Sequence, residues 1–224
     1  ETANGQAEER YNPGTRELLA LKQSWGVIIA TAVIDPIWWL FIVWIPTYLV
    51  AVHGFNVKEV AASGWLPFVG AMLGAWFGGL LAQNRMKAGW SVDATRKLTI
   101  TLGCLIMLPA LLALSAASTP WTALWLMFTI LFGFQTAIGN VQTLPSDLFG
   151  KRTVGTLSGI AGMAAKLSAA ALTYLVPIMT AGANYYSVFV LGAGLALTAI
   201  ASVWLLCGEI KPLKPKMAVG QALS

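Results

Sequence analysis

Charged residues are scarce in this sequence. Of its 224 residues only 10% are Asp, Glu, Lys or Arg, whereas 57% belong to the hydrophobic set, and the mean hydropathy is +0.71. These values lie far outside the range of soluble globular domains. The scarcity of charge therefore excludes a water-soluble domain and indicates a membrane protein.

Cysteine and histidine are also rare. Cys104 and Cys207 fall within apolar segments and lack the spacing of metal ligands, so we interpret them as membrane-buried thiols. His53 is the only histidine, and a single imidazole without acids beside it makes no metal site. Nucleophile motifs and paired membrane histidines are absent as well. We therefore expect neither a metal nor a cofactor, and no enzymatic activity.

Long apolar segments are what the sequence does contain. A helix needs about 20 residues to cross about 30 Å of hydrocarbon. The segments are not the ten-residue alternations of polar and apolar side chains that closed barrels require. We predict an all-α membrane protein, a six-transmembrane-helix bundle, with spans at residues 26–51, 60–82, 98–117, 122–144, 155–180 and 186–207.

Basic residues predict the orientation of these spans. Twelve lie before the first span, in the second and fourth connections or in the tail, and only Lys58 lies in a connection on the other side. Because cytoplasmic loops are enriched in Lys and Arg, we expect both termini in the cytoplasm, with the bundle in the inner membrane. This pattern provides no basic face for nucleic acid. The predicted domains are a cytoplasmic linker with an amphipathic lead-in (1–25), the bundle (26–207) and a cytoplasmic tail (208–224).

Two ionisable residues fall near the centre of a predicted span. A charge there costs roughly 2.5–3.5 kcal/mol. At 1.5 Å per residue, Asp35 and Lys166 lie about 14 and 17 Å from the cytoplasmic edge. Two interpretations remain open: an ion pair that fixes packing, or a polar cavity where Lys166 meets an anionic substrate and Asp35 tunes or relays charge. Pro36 favours the cavity, because proline loosens a helix and loosened backbone is tolerated where it faces protein or water.

The fourth span contains polar residues at helical spacing. One helix face holds Gln135, Gly139 and Gln142, and the face beside it holds Thr136, Asn140 and Thr143. Buried amides can hold helices together, so interhelical packing and ligand binding both remain open. Together with Thr31, Asp35 and Lys166, these residues would form a cavity rich in hydrogen-bond donors and acceptors. Such a cavity suits a polyhydroxylated anion, and Trp39 offers a flat face for a sugar ring as well as for ordinary packing.

Small residues recur in the second and fifth spans, at Gly70, Gly74 and Gly78 and at Gly155, Gly159 and Gly162. Small residues in register let two backbones approach closely, which matters in lipid because the hydrophobic effect gives no net drive between helices. We predict that both spans have packing faces. These can be fixed contacts or surfaces that slide against a moving partner.

Four stretches of the sequence resemble one transporter family. They are IDPIWWLFIVWIPTYL, HGFNVKEVAASGWLPF, GWSVDATRK and LPSDLFGKRTVGTLSGIAGMAA. Over residues 20–208 the chain is similar to the C-terminal half of hexuronate and related sugar-acid transporters, in the anion:cation symporter branch of the major facilitator superfamily. The resemblance implies that the six spans are helices seven to twelve, that the N-terminal six-helix half is missing here, and that the complete protein is a monomer.

The resemblance also implies an activity and its residues. Members rock two bundles around a midplane site and typically couple uptake of an organic anion to protons. Their polar contacts on helices seven, ten and eleven fall near Thr31, Asn140, Gln142 and Gly162, although Gly162 has no side chain to offer. Lys166 is not expected at its position across the branch. The proton-carrying acids and a substrate-clamping arginine belong to the absent half.

The combined prediction is one half of a proton-coupled symporter that imports a hexuronate or related sugar acid. The expected contacts are Lys166 with the carboxylate, Asn140, Gln142, Gln135 and Thr31 with polar groups, and Trp39 with the ring, while Asp35 holds the lysine charged and responds to the proton gradient. The alternatives are an integral-membrane scaffold or enzyme subunit, and a carrier of another organic anion such as an aldonate or dicarboxylate. A phosphate ester is disfavoured because no predicted span contains an arginine.

Overall fold

The computed structural model describes residues 11–180 and 185–213, and within these ranges the chain is helical, without a β-strand. Six helical segments are long and apolar enough to cross a membrane, which confirms the predicted all-α six-span bundle. The helices are α1 Thr15–Ala20, α2 Lys22–His53, α3 Val57–Ser63, α4 Leu66–Lys87, α5 Val92–Leu114, α6 Pro120–Leu148, α7 Lys151–Met179 and α8 Tyr186–Ser202, which continues as a π-helical turn Val203–Cys207.

The predicted third span is displaced along the sequence. It was expected over 98–117, whereas α5 begins six residues earlier, at Val92. The hydroxyl of Ser91 accepts a hydrogen bond from the Ala94 backbone N–H and caps the helix, and Asp93 in the first turn favours its positive end. Polar residues that resembled a loop therefore form the first turns of a membrane helix.

The predicted second span is divided. Its first part is α3, which begins with a capping box in which Asn56 and Glu59 each accept a hydrogen bond from the other's backbone N–H. Its second part, α4, has Pro67 in its first turn, where the missing N–H of proline costs nothing. The predicted first span is by contrast one continuous helix, α2, which runs through Pro36 and Pro46.

Helix α6 lies at the centre of the bundle and packs on two neighbours at backbone distance. A Cβ atom added to Gly74 of α4 would lie 2.1 Å from the carbonyl oxygen of Phe132, and one added to Gly103 of α5 would lie 2.5 Å from that of Gly133. Only glycine permits these approaches. The remaining helices pack around α2, which contacts α6, α7 and α8.

Most basic residues lie at the end of the bundle where α2 begins and α4 ends, which we name the basic end. Here the junction of α6 and α7 is tied to both flanking segments: the Gly150 N–H donates to the Tyr11 carbonyl at 3.0 Å and the Leu213 N–H to the Leu148 carbonyl at 2.9 Å. The Tyr11 hydroxyl donates to Glu17, and this bond raises the pKa of Tyr11 to about 12. Residues 1–10 of the predicted linker and 214–224 of the predicted tail lie outside the described residues.

Candidate functional site

Asp35 and Lys166 form an ion pair inside the membrane-spanning region. The Lys166 Nζ lies 2.7 Å from the Asp35 Oδ2, as the matched depths of the two residues predict. The same oxygen accepts a hydrogen bond from the Trp39 Nε1 at 3.2 Å, and the Lys166 Nζ lies 5.0 Å from the centroid of the Trp39 ring. Spacing of four residues on α2 brings Trp39 over Asp35, so one helix turn provides both partners of the lysine.

The two charges differ in exposure. The Asp35 side chain is 15% exposed, whereas that of Lys166 is 60% exposed. A polar cavity beside both charges was one of the two interpretations left open, and in this chain the lysine of the pair is largely exposed. Lys166 follows Ala165 of the buried face of α7, which packs towards α2, so its ammonium reaches Asp35 while most of its side chain stays exposed.

A polar cavity of about 520 Å³ lies between α2, α4, α5 and α6. Its polar lining comes mainly from the predicted amide-rich stretch of α6, with one acid from α2 and one basic residue from α5. These polar lining residues are Asp35, Gln83, Arg96, Gln135, Asn140, Gln142 and Thr143. The aromatic rings of Trp38 and Phe134, stacked with centroids 5.7 Å apart, form an apolar part of the lining. Such a mixture can bind a hydroxylated ring and its polar edge together.

A second recess, of about 360 Å³, lies between α2, α6 and α7, and we name it the α7 groove. Its polar lining residues are Thr31, Asp35, Gln142, Ser158 and Lys166. Asp35 and Gln142 line both recesses, so they lie between the cavity and the α7 groove. A group that moves from one recess to the other passes these two side chains.

The predicted site residues are therefore divided between the cavity, the α7 groove and a third recess. Gln135 and Asn140 line the cavity, whereas Thr31 and Lys166 line the α7 groove. Trp39 contacts neither and lies beside Lys166 in a shallow recess on the outer side of α2 and α7. The Thr31 hydroxyl donates to the Val27 carbonyl of its own helix at 2.8 Å.

The two polar faces of α6 both reach the cavity, and Thr136 is the member that does not. Gln135, Gly139 and Gln142 line the cavity. Thr136 is fully buried, and its hydroxyl points to the carbonyls of Phe132 at 2.8 Å and of Gly74 at 3.1 Å. The packing interpretation therefore holds for Thr136, and the cavity interpretation is open for the glutamines.

Asn140 lies between these extremes. It lines the cavity but is only 4% exposed, and both ends of its amide are engaged. Its Nδ2 donates to the Thr136 carbonyl at 3.2 Å, and its Oδ1 accepts from the Arg96 Nη1 at 2.8 Å. The bond that its Oδ1 accepts holds the Arg96 guanidinium in place, so Asn140 positions Arg96.

Arg96 is a cavity residue that the sequence analysis did not identify. It was placed in a loop because the predicted third span began at residue 98, whereas α5 includes it and the cavity exposes it. The argument against phosphate esters from the absence of an arginine within the spans is therefore wrong. The Ser91 cap followed by Asp93 was the pattern that could have placed the helix start correctly.

Among the described residues no three His, Cys, Asp or Glu side chains come together in a group that could hold a metal ion. The chemistry available at the site is therefore that of one acid, two basic residues, amides and aromatic faces. This set can recognise an anion that also has hydroxyl groups.

Comparison with known proteins assigns the chain to a family. Residues 3–173 match the family model described as Major Facilitator Superfamily. The chain belongs to this superfamily. Among solved structures, a bacterial homolog of the human lysosomal transporter Spinster, in an inward-facing and unoccupied conformation, superposes with a TM-score of 0.57 at 18% identity, over 85% of this chain and 46% of that one. This likeness confirms the transporter fold.

Several proteins similar to this chain are named as transporters of sugar acids. The hexuronate transporter of Escherichia coli (strain K12) is 30% identical over 207 residues, which are 92% of this chain and 46% of that protein. The galacturonate transporter of Dickeya chrysanthemi is 35% identical over 109 residues, 47% of this chain and 31% of that one. A probable galactarate/D-glucarate transporter of E. coli is 26% identical, over 92% of this chain and 46% of the relative. The chain thus spans about half the length of the hexuronate and galactarate/D-glucarate transporters, although the match covers 92% of the chain itself.

Proposed function

We propose that this chain is the C-terminal half of a secondary active transporter that imports an organic anion, a hexuronate or related sugar acid, together with protons. The observation that carries the proposal is the amide-lined cavity between α2, α4, α5 and α6, with Asp35 between it and Lys166. The names of the superfamily relatives support a sugar acid as the cargo.

The lining of the cavity fits such a cargo. A hexuronate has several hydroxyl groups and one carboxylate, so it needs neutral donors and acceptors along its ring and one cation at its end. Gln135 and Gln142 supply neutral polar groups, and the exposed Gly139 between them leaves room for a ring, since an added Cβ there meets nothing within 4 Å. Buried polar groups of this kind reject analogues that leave them unpaired.

The ion pair provides a means of coupling to protons. While Asp35 is ionised, its carboxylate pairs with the Lys166 ammonium at 2.7 Å, so the ammonium is not free to bind the cargo. Protonation of Asp35 removes that charge and releases the lysine for the carboxylate of the cargo. Proton and anion binding then favour one another, which is the requirement for symport.

Alternating access involves the exposed face of α7. Lys166 on that face would cost roughly 2.5–3.5 kcal/mol in hydrocarbon, so a protein surface or water covers it in the complete transporter. We place the N-terminal six-helix half against this face, with the cargo between the halves. Both ends of the chain lie in the cytoplasm in this arrangement.

The proposal is tested by transport in proteoliposomes that contain the full-length protein. Labelled glucuronate should accumulate against its gradient when the outside is acidic, and a proton ionophore should abolish accumulation. Asp35→Asn and Lys166→Ala should each abolish concentrative uptake while membrane abundance stays normal. Normal uptake by either variant contradicts the assigned roles.

A matched lysine variant and a competition assay complete the design. Lys58→Ala removes a lysine of α3, at the end of the bundle opposite the basic end. Lys58 lines neither the cavity nor the α7 groove, so uptake should be unchanged. Excess galacturonate, galactarate or galactonate in the uptake assay orders the candidate cargoes by their inhibition. If no sugar acid competes and none is accumulated, the proposed substrate class is wrong.

A further inference from the structure

We infer that Arg96 is a second carboxylate-binding position, in the part of the cavity nearest the basic end, which the anion occupies on its way to or from the cytoplasm. This inference rests on the proposed function, since it concerns the same cargo. It adds a cation that the predicted site does not include.

The position of Arg96 is fixed by two partners on α6. Its Nε donates to the Asp147 Oδ2 at 2.8 Å and its Nη1 donates to the Asn140 Oδ1 at 2.8 Å. Asp147 and Asn140 lie seven residues apart, two turns along one helix face, so they hold the guanidinium at two points. The Arg96 side chain is 13% exposed, and Arg96 is one of the residues that line the cavity.

The guanidinium keeps donors that these partners do not use. Arginine has five N–H groups, and the two bonds to α6 use two of them. Within the described part of the chain, Nη2 has no hydrogen-bond partner. Nη2 and the second N–H of Nη1 can therefore donate charge-assisted hydrogen bonds to a carboxylate.

Arg96 is the cation that an anion in the cavity can reach, and it shares its charge with Asp147 at 2.8 Å. Among the described residues that line the cavity, Arg96 is the only basic one and Asp35 the only acidic one. Lys166 lines the α7 groove instead, on the other side of Asp35 and Gln142. An anion that leaves Lys166 and passes these two residues therefore meets Arg96 as its next cation.

Hydroxyl recognition continues along the same path. Gln142 lines both recesses, and Gln135 and Thr143 line the cavity beside Arg96. A sugar acid can keep its ring on the glutamines while its carboxylate moves from one cation to the other. Asn140 is then a positioning residue for Arg96, since its amide is already engaged.

The test measures glucuronate affinity in the full-length transporter, by calorimetric titration and as the KM of uptake. Arg96→Gln should weaken binding at least about tenfold, because it removes a charge-assisted pair of hydrogen bonds. Arg96→Lys keeps the positive charge but loses the planar guanidinium with its several N–H donors, and should weaken binding about threefold to tenfold. In both variants KM should rise more than the maximal rate falls.

Lys97→Gln is the matched control. Lys97 is the next residue on α5, its side chain is 12% exposed, and its Nζ pairs with the Asp93 Oδ1 at 2.7 Å, but it does not line the cavity. It should change stability about as much as the Arg96 variants and leave affinity within about twofold. An unchanged affinity in Arg96→Lys and Arg96→Gln, in a protein whose wild type binds glucuronate, overturns the inference and leaves the proposed function standing.

Chemical protection extends the test to wild-type protein, should the Arg96 variants fail to fold. Phenylglyoxal modifies accessible arginines, and peptide mass spectrometry reports each position. Glucuronate should slow modification of Arg96 and leave that of the exposed Arg85 unchanged. Equal modification rates at Arg96 with and without glucuronate overturn the inference about Arg96. A wild-type protein that neither binds nor accumulates any sugar acid overturns both the proposed function and this inference.

Discussion

Helices α4 and α7 both present glycines at four-residue spacing, but within the described part of the chain only the α4 glycines pack closely on another helix. Cβ atoms added to Gly70 and Gly74 of α4 would lie 2.4 and 2.1 Å from backbone oxygens of α6. Cβ atoms added to Gly155 and Gly159 of α7 would meet none of the described residues within 4 Å. The same pattern thus forms a close helix contact in α4 and, as far as the described residues go, an exposed surface in α7.

The difference in packing bears on the roles of the α4 and α7 surfaces. The α4 contact is buried inside the bundle and brings α4 and α6 together along one side of the cavity. The α7 surface is exposed and includes Lys166, which hydrocarbon would solvate poorly. Of the two uses open to a small-residue face, fixed contact applies to α4, and contact with a moving partner remains our proposal for α7.

The largest expected effect is on the α4 side. Gly74→Leu places a side chain where the Phe132 carbonyl already lies, so α4 and α6 must separate. We expect a loss of about 3 kcal/mol or more in stability, and little folded protein in membranes. Size-exclusion chromatography in detergent and thermal unfolding measure this. Gly79→Ala, on the same helix with nothing near its added Cβ, should stay folded, and equal behaviour of the two variants would contradict the contact.

An intermediate effect is expected on the α7 side. Gly159→Leu should leave the full-length transporter folded and at normal abundance, because this chain offers no clash at that position. Uptake should fall roughly tenfold, since overpacking in only one conformational state costs about 1–3 kcal/mol in the equilibrium between states. Abundance and glucuronate uptake are measured on the same vesicles. Unchanged uptake would show that no partner approaches α7 there.

The smallest effect concerns the hydrogen bond within the α4 contact. Thr136→Val removes the hydroxyl that lies 3.1 Å from the Gly74 carbonyl, and we expect a loss of about 0.6 kcal/mol, the average for interhelical hydrogen bonds in membranes. Thr129→Val is the control, because the Thr129 hydroxyl bonds only to the Trp125 carbonyl of its own helix. Thermal unfolding of both variants compares them. A larger loss in Thr129→Val would place the stabilising bond elsewhere.

Some features of the site could be predicted from the sequence. Asp35 and Lys166 are rare charges on spans that run in the same direction, and the fixed rise of a helix gives them nearly equal depth. Their ion pair at 2.7 Å follows. The helical spacing of Gln135 and Gln142 likewise places both on one face, and both line the cavity.

Other features of the site could not be predicted. Arg96 is polar and close to a turn, so hydropathy places it in a loop, and only the pairing with Asp147 and Asn140 shows that it belongs to the cavity. The division of the predicted residues between the cavity and the α7 groove was equally hidden. The division depends on which side of α6 each neighbouring helix packs against. Contacts between residues far apart in sequence determine this packing.

The sequence by itself determined the six membrane helices, because each one satisfies its own backbone hydrogen bonds and needs only enough apolar residues to cross the hydrocarbon. It also determined the superfamily, through stretches that resemble its members. Only the tertiary structure decided which glycine face is closed, which polar residues of α6 line the cavity and that Arg96 reaches it. The physical reason is that the rotation of a helix about its axis and the choice of its neighbours are set by close packing between distant segments, to which hydropathy is insensitive.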